Sequence, residues 1–298
     1  MRVAVVTLAA VAGLAAPAPA WAHSRGPAVA LDYRLHLASA PPGVQVRILD
    51  GDRSLEARVT SGTTLVVRGY LREPMLRFDE QGVFVNAASP TAQSDRLVAR
   101  GGGWVRVASG PSFAWHEHRL TPAGAQGRFV IPVEVDGRPA AIDGTFVRVS
   151  RPSAWPWLAA AVVLAGAAVA AARRPASRLP LAIGLGVVAG LAALLATIAF
   201  AVRDRPSGGT GWLQIGAALA VAAAVGLPLV RLHGRRRGQA AGLAGAVAAA
   251  VTVASLPVFW HGVVISALPA VAARLACVVA LVGGVSAAAV SLLPELDG

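Results

Sequence analysis

The sequence predicts two unlike parts: an all-β, immunoglobulin-like sandwich ectodomain and an α-helical membrane bundle of five transmembrane helices. Three observations carry that prediction. Apolar and polar residues alternate through much of residues 31–149, and a period of two places one set on each face of a sheet. Long apolar runs dominate from residue 154 onward. Finally, 55% of the 298 residues are hydrophobic and only 14% are charged. Soluble domains carry roughly 25% charge, so a fully soluble enzyme is excluded, and intrinsic disorder with it.

The chain opens on Met1-Arg2, an unbroken apolar run from Val3 to Ala16, and small residues at Ala20 and Ala22. That order of charge, apolar centre and small-residue exit predicts a secretory signal peptide over residues 1–22. Cleavage after Ala22 leaves His23 as the new N-terminus. An uncleaved anchor is the alternative, although a run of about 14 residues is short against the roughly 20 needed to span a bilayer.

Residues 23–153 form the predicted extracytoplasmic β domain. Leu31, Tyr33, Leu35 and Leu37 alternate with Asp32, Arg34 and His36. The same pattern recurs at Val44–Ile48, Leu55–Val59 and Phe129–Val135. Turn residues separate the runs at Asp50-Gly51-Asp52, Glu80-Gln81-Gly82, Gly101–Gly103 and Asp136-Gly137. Asp-Gly between two alternating runs is a strong hairpin signal, because both turn positions need positive φ. About eight or nine short strands at intervals of roughly 10 residues suit a sandwich. The only cysteine, Cys277, lies in the apolar half, so no disulfide staples the domain.

Residues 154–298 form the predicted membrane domain. The runs are Trp155–Ala172, Leu179–Val202, Trp212–Val230, Ala240–Trp260 and Leu275–Leu293. At about 1.5 Å per residue each crosses a core of roughly 30 Å. Trp155, Trp157, Trp212 and Trp260 stand at run ends, as an aromatic belt requires. Every basic residue is Arg. Seven of them (173, 174, 178, 231, 235, 236 and 237) fall in two alternate connections, against Arg203, Arg205 and Arg274 in the others. This bias predicts a multi-pass membrane protein with the β domain outside and the C-terminus cytoplasmic. Residues 261–274, with Pro269, read as interfacial, re-entrant or part of the last helix. Gly186-x-x-x-Gly190 is a close-packing pattern for a bundle or dimer contact.

The partners follow from this plan. The lipid bilayer is one and another envelope protein a second. Nucleic acid is excluded, because no basic stripe is interleaved with aromatics. No Asp, Glu, Lys or His lies inside the five runs, which weighs against a coupled transporter. No nucleophile elbow, zinc-protease motif or phosphate loop is present, so no enzyme is expected. Asp50 and Asp52 read as a solvated turn, and Cys277 as a small apolar residue.

Histidine carries the remaining chemistry. His116 and His118 share one strand face if residues 112–118 stay extended, and two imidazoles so placed make half a copper or zinc site. A mature N-terminal His23 adds an α-amine and its own imidazole, a nitrogen-rich set that suits Cu(II). The competing reading makes His23 a frayed terminus and the H-x-H pair an exposed strand face. His36 reads as surface and His233 as part of the Arg-rich loop. His261 reads as an interfacial anchor or as a ligand facing the β domain.

Phe129–Val149, FVIPVEVDGRPAAIDGTFVRV, resembles the last hairpin of the CopC-type copper-binding β-sandwich, through Asp136, Gly137, Pro139, Gly144 and Phe146. The order of signal peptide, mature-start His, sandwich and membrane bundle is similar to CopC followed by a CopD-like part. The chain also resembles conserved membrane proteins of GC-rich Gram-positive bacteria, which implies a multi-pass protein of a bacterial plasma membrane. The CopC resemblance implies a copper-handling protein, with His23, His116 and His118 as the available ligands. The position of that family's turn histidine is occupied here by Arg138. Beside it stands the reading of a non-enzymatic binding or envelope-assembly module.

Overall fold

The computed structural model describes residues 29–49, 51, 54–98, 101–122, 124, 126–202 and 210–293. The signal segment, His23, Asp50 and Asp52 lie outside the described residues. Two compact units emerge, one built on Leu31–Ser150 and the other on Arg151–Val202 and residues 210–293 together with Val29 and Ala30.

The first unit is two antiparallel sheets. Its strands are β1 (Tyr33–Ser39), β2 (Val44–Leu49), β3 (Ser54–Val59), β4 (Leu65–Arg68), β5 (Pro74–Asp79), β6 (Gly82–Asn86), β7 (Trp104–Ala108), β8 (Ser112–His116), β9 (Gly127–Val135) and β10 (Arg138–Arg148). Seven of them pair in the order β1-β10-β9-β4-β5-β6-β7, and three in the order β2-β3-β8. The alternation seen in the sequence is the burial pattern: Leu65, Val67, Leu76, Phe78, Val83, Val85, Ile131 and Val133 from the large sheet are buried. Leu55, Ala57, Val59 and Trp115 are buried from the small one. Phe78 and Trp115 meet across the sheets at 6.2 Å between ring centroids.

The β9–β10 hairpin closes at Asp136-Gly137, with Val135 opposite Arg138. Both turn residues have positive φ, 50° and 76°, as a two-residue turn of that twist demands. Asp136 Oδ1 also accepts a bond from Thr64 N at 2.8 Å, tying the turn to the head of β4. One short helix, α1 (Pro90–Ser94), interrupts the β pattern. Ser89 caps it by accepting from Ala92 N, and Pro90 stands in its first turn, where its missing N–H costs nothing.

The second unit contains, among the described residues, five helices long and apolar enough to cross a membrane. They are α2 (Trp155–Ala172), α3 (Arg178–Ala201), α4 (Thr210–Arg231), α5 (Gly234–Thr252, continuing as a tighter coil to Phe259) and α6 (Ala270–Ser291, widened to a π turn over Val279–Gly283). At one end, Ala172, Ala182 and Val290 pack together, as do Leu229, Ala241 and Ala244 with Ile183. The Arg-rich connections 173–178 and 231–237 sit at this end. At the other end, Ala30 packs among Ala196, Phe200, Val258, Ala273, Ala276 and Cys277.

Four expectations are changed or refined. Helix α5 takes in Arg235–Arg237 as its first exposed turn, so it starts earlier than its apolar run. Of residues 261–274, Ala270 onward is part of the last helix, while the stretch before it is extended at 263–264, where Ile265 N donates to Val29 O at 2.8 Å and Ala267 N donates to Ala199 O at 2.9 Å. Helix α6 then begins at Ala270, so Arg274 is a buried helix residue rather than a loop charge. Its guanidinium donates to Val258 O at 2.7 Å and to His261 O at 3.1 Å, which satisfies carbonyls at the frayed end of α5. Of the Gly186–Gly190 pair, only Gly186 meets a neighbouring backbone, at Ala241. Gly190 faces open space.

Candidate functional site

The His116–His118 region is built where β8 ends. Trp115 points into the core opposite Leu55 of β3, so alternation turns His116 the other way. The strand stops there. His118–Leu120 form one 3₁₀ turn, and the buried Leu120 draws the chain back to the core. The shared strand face expected for the two histidines is therefore corrected, since His118 has left the strand. Even so the structure brings the imidazoles together, with ring centroids 4.4 Å apart and planes at 83°.

Between them, Glu117 is fully buried. Its carboxylate accepts from Trp115 Nε1 at 3.1 Å, from Arg119 N at 3.1 Å, and from Arg119 Nε and Nη2 at 2.7 Å each. A buried charge is tolerable only when paired and hydrogen-bonded this fully. Arg119 in turn donates to Arg68 O at 3.1 Å and lies 5.1 Å from the Tyr70 ring centroid. This bonded pair holds the turn that carries His118.

Helix α1 supplies the remaining wall. Asp95 is its C-cap, with a side chain almost wholly buried and Oδ1 3.3 Å from His118 Nε2. Tyr70 donates its hydroxyl to Asp95 Oδ2 at 3.4 Å and accepts from His118 N at 3.0 Å. Burial pushes the Asp95 carboxyl above its ordinary value, against the pull of His118 and His116. Burial also raises the Tyr70 phenol, and Glu117 adds to that shift. Tyr70 therefore stays protonated as a donor. The arrangement offers two adjacent imidazoles, one held in place by a carboxylate and a backbone bond, for nitrogen ligation or proton exchange.

Of the sequence-derived set, His116 and His118 are brought together and His23 lies outside the described residues. Among the described residues no group of three His, Cys, Asp or Glu side chains is gathered to hold a metal ion. His36 is exposed on β1, as expected. Arg138 opens β10, exposed beside the hairpin turn. Sequence reasoning missed Asp95, Tyr70 and the burial of Glu117. Ser89-Pro90 is a local pattern that fits the start of α1, but nothing local ties its far end to His118.

A second feature lies on the outer face of the large sheet. Phe84 on β6 stands opposite Arg77 on β5 and Arg106 on β7. The Arg77 guanidinium lies 4.5 Å from the Phe84 ring centroid and 5.1 Å from that of Trp104. Trp104 is exposed on this face of β7, the last strand of the sheet, while Val105, paired with the buried Val85, is exposed on the opposite face.

Comparison with known proteins finds no matching family model, no matching curated protein and no matching solved structure.

Proposed function

We propose that the protein is an anchored, non-enzymatic binding module of the bacterial envelope. Its five helices hold it in the plasma membrane with the β domain outside and the C-terminus in the cytoplasm. The orientation rests on the Arg residues of 173–178 and 231–237, which gather at one bundle end. Positive charge stays on the cytoplasmic side.

The observation that carries the binding reading is the Arg77–Phe84–Trp104 ladder on the outer face, which ends at an edge strand. Trp, Phe and Arg are the residues enriched at protein interfaces, and an edge strand offers unpaired backbone for a partner strand. The partner class is another envelope protein. The test is a photo-crosslinking residue placed at position 104 or 105 in intact cells, with position 58 on β3 as control. Discrete adducts at 104 and 105 that are absent at 58 support the reading. Equal labelling at all three positions removes it.

The second reading is copper handling of the CopC and CopD type, with Cu(II) held by His23, His116 and His118. The 4.4 Å approach of the two rings favours it, because two nitrogen donors already share one place. Titration of the full chain bearing a native N-terminus should give a nitrogen-rich Cu(II) resonance. That signal should be lost in His116→Ala and should weaken on acidification, since the ligands must be deprotonated.

A further inference from the structure

The bundle carries a feature unrelated to the β domain. Near the Arg-rich end, α2 and α6 line a groove of about 420 Å³. Ala168, Val169, Ala289 and Val290 form its walls, and Arg173 and Arg178 stand at its mouth. The small side chains at Ala168 and Ala289 leave this space, where larger residues would close it.

The lip is positioned rather than incidental. Arg178 Nε donates to Ala172 O at 2.9 Å, and Ser177 Oγ donates to Ala171 O at 2.6 Å and to Arg174 O at 2.8 Å. These bonds satisfy carbonyls at the end of α2 and fix the connection that carries both guanidiniums. Arg178 is also the first residue of α3, so the positive end of that helix dipole faces the same spot. The apolar run ends at Ala172, which sets Arg173 at the level where hydrocarbon gives way to headgroups. The occupant of an apolar slot with a doubly cationic rim must carry an apolar chain and a negative head. Guanidiniums match phosphate oxygens by paired hydrogen bonds, and basic pockets between membrane helices select anionic lipid.

We propose that the α2–α6 groove binds one anionic phospholipid, its acyl chain against Ala168, Val169, Ala289 and Val290 and its phosphate against Arg173 and Arg178. The test is native mass spectrometry of the full chain released from bilayers of phosphatidylglycerol or phosphatidylcholine. One phosphatidylglycerol should remain bound under conditions that strip phosphatidylcholine. Arg173→Gln with Arg178→Gln should weaken retention roughly 30-fold, about fivefold for each charge. Ala289→Phe, which fills the slot without touching the charges, should abolish it independently. Arg235→Gln with Arg236→Gln, at the same bundle end but outside the groove, should leave it intact. Excess inorganic phosphate should not displace the lipid. Equal retention of both lipids overturns the proposal. So does loss in the Arg235/Arg236 variant, full binding by Ala289→Phe, or displacement by phosphate alone, which would mark a simple anion site.

Discussion

The two units of this chain are held together by opposite means. The β domain buries large side chains: Trp115, Phe78, Leu55, Leu65, Met75 and Ile131 are almost fully covered. The helical unit buries small ones: Ala182, Ala189, Ala241, Ala273, Ala280 and Ala287 form its centre. Its large residues, Val162, Leu191, Leu213 and Val230 among them, face outward. In water a large apolar side chain is driven inside, at roughly 25 cal/mol per Å². In lipid that driving force disappears between helices, and close approach of backbones takes over. The same residue type therefore has opposite value in the two halves.

Four experiments break or sharpen that contrast. The largest effect should come from Glu117, a fully buried charge of the β core. Glu117→Ala strands Arg119 and the Trp115 indole N–H, and should cost about 3–5 kcal/mol, read as a lowered denaturant midpoint in pulse proteolysis. Removing Arg119 as well should recover part of the loss, because no unpaired charge is then buried. An unchanged midpoint in Glu117→Ala would mean that this network does not support the domain.

In the bundle the sensitive sites should be glycines. A Cβ at Gly245 would lie 2.6 Å from Gly284 O and 2.8 Å from Ala287 Cβ. Gly245→Leu should therefore cost about 1–3 kcal/mol of helix packing, measured by thermal loss of monodisperse protein in detergent. Gly190→Ala meets nothing and should be neutral. Equal sensitivity at both positions would contradict the close-approach account.

The pH response should be confined to the β unit. Burial alone would raise the Glu73 carboxyl, but hydrogen bonds from Thr91 and Ser89 outweigh it and hold the group below its ordinary 4.5. Its ionised form is thus favoured by folding. That contribution is complete above pH 4.5 and is lost as pH falls through the depressed folded value. Glu73→Gln should lower stability at neutral pH and flatten the acid limb of an unfolding titration. Asp95 works in the opposite sense: its raised folded value means that stability declines as pH rises through it. A steeper acid limb in Glu73→Gln would reverse this assignment.

The smallest effect should be at a lipid-facing leucine. Leu191→Ala, at 62% exposure, should change bundle stability by no more than about 0.5 kcal/mol. Leu65→Ala in the β core should cost about 2–5 kcal/mol. Similar losses at the two sites, each measured by unfolding of its own unit, would erase the distinction between the cores.

Much of this was legible without coordinates. The alternating runs at 44–48, 55–59 and 129–135 are strands β2, β3 and β9, and Asp136-Gly137 is a two-residue hairpin. All five apolar runs are helices. These features depend on neighbours two to four residues apart, so local sequence carries them. Helix starts were less legible. An exposed helical turn needs no apolar residue, which is why α5 could begin with Arg235–Arg237. Arg274 looked like a loop charge because its partners, the carbonyls of Val258 and His261, leave no mark in side-chain composition.

The candidate site divides the same way. His116 and His118 stood out by their spacing, and they do meet, though through a 3₁₀ turn rather than along a strand. Tyr70 and Asp95 lie far away in sequence and reach His118 only because β4, α1 and β8 converge in the folded sheet pair. The seven-and-three division of strands, the groove between α2 and α6 and the Arg77–Phe84–Trp104 ladder are likewise products of pairing across long stretches of chain. Sequence by itself determined which segments are strands, which are membrane helices and where the charge lies, because periodicity and solvent preference are local properties. Only the tertiary structure decided which strands are neighbours, which glycines touch and which polar groups are buried together, because those choices are made by packing between distant segments.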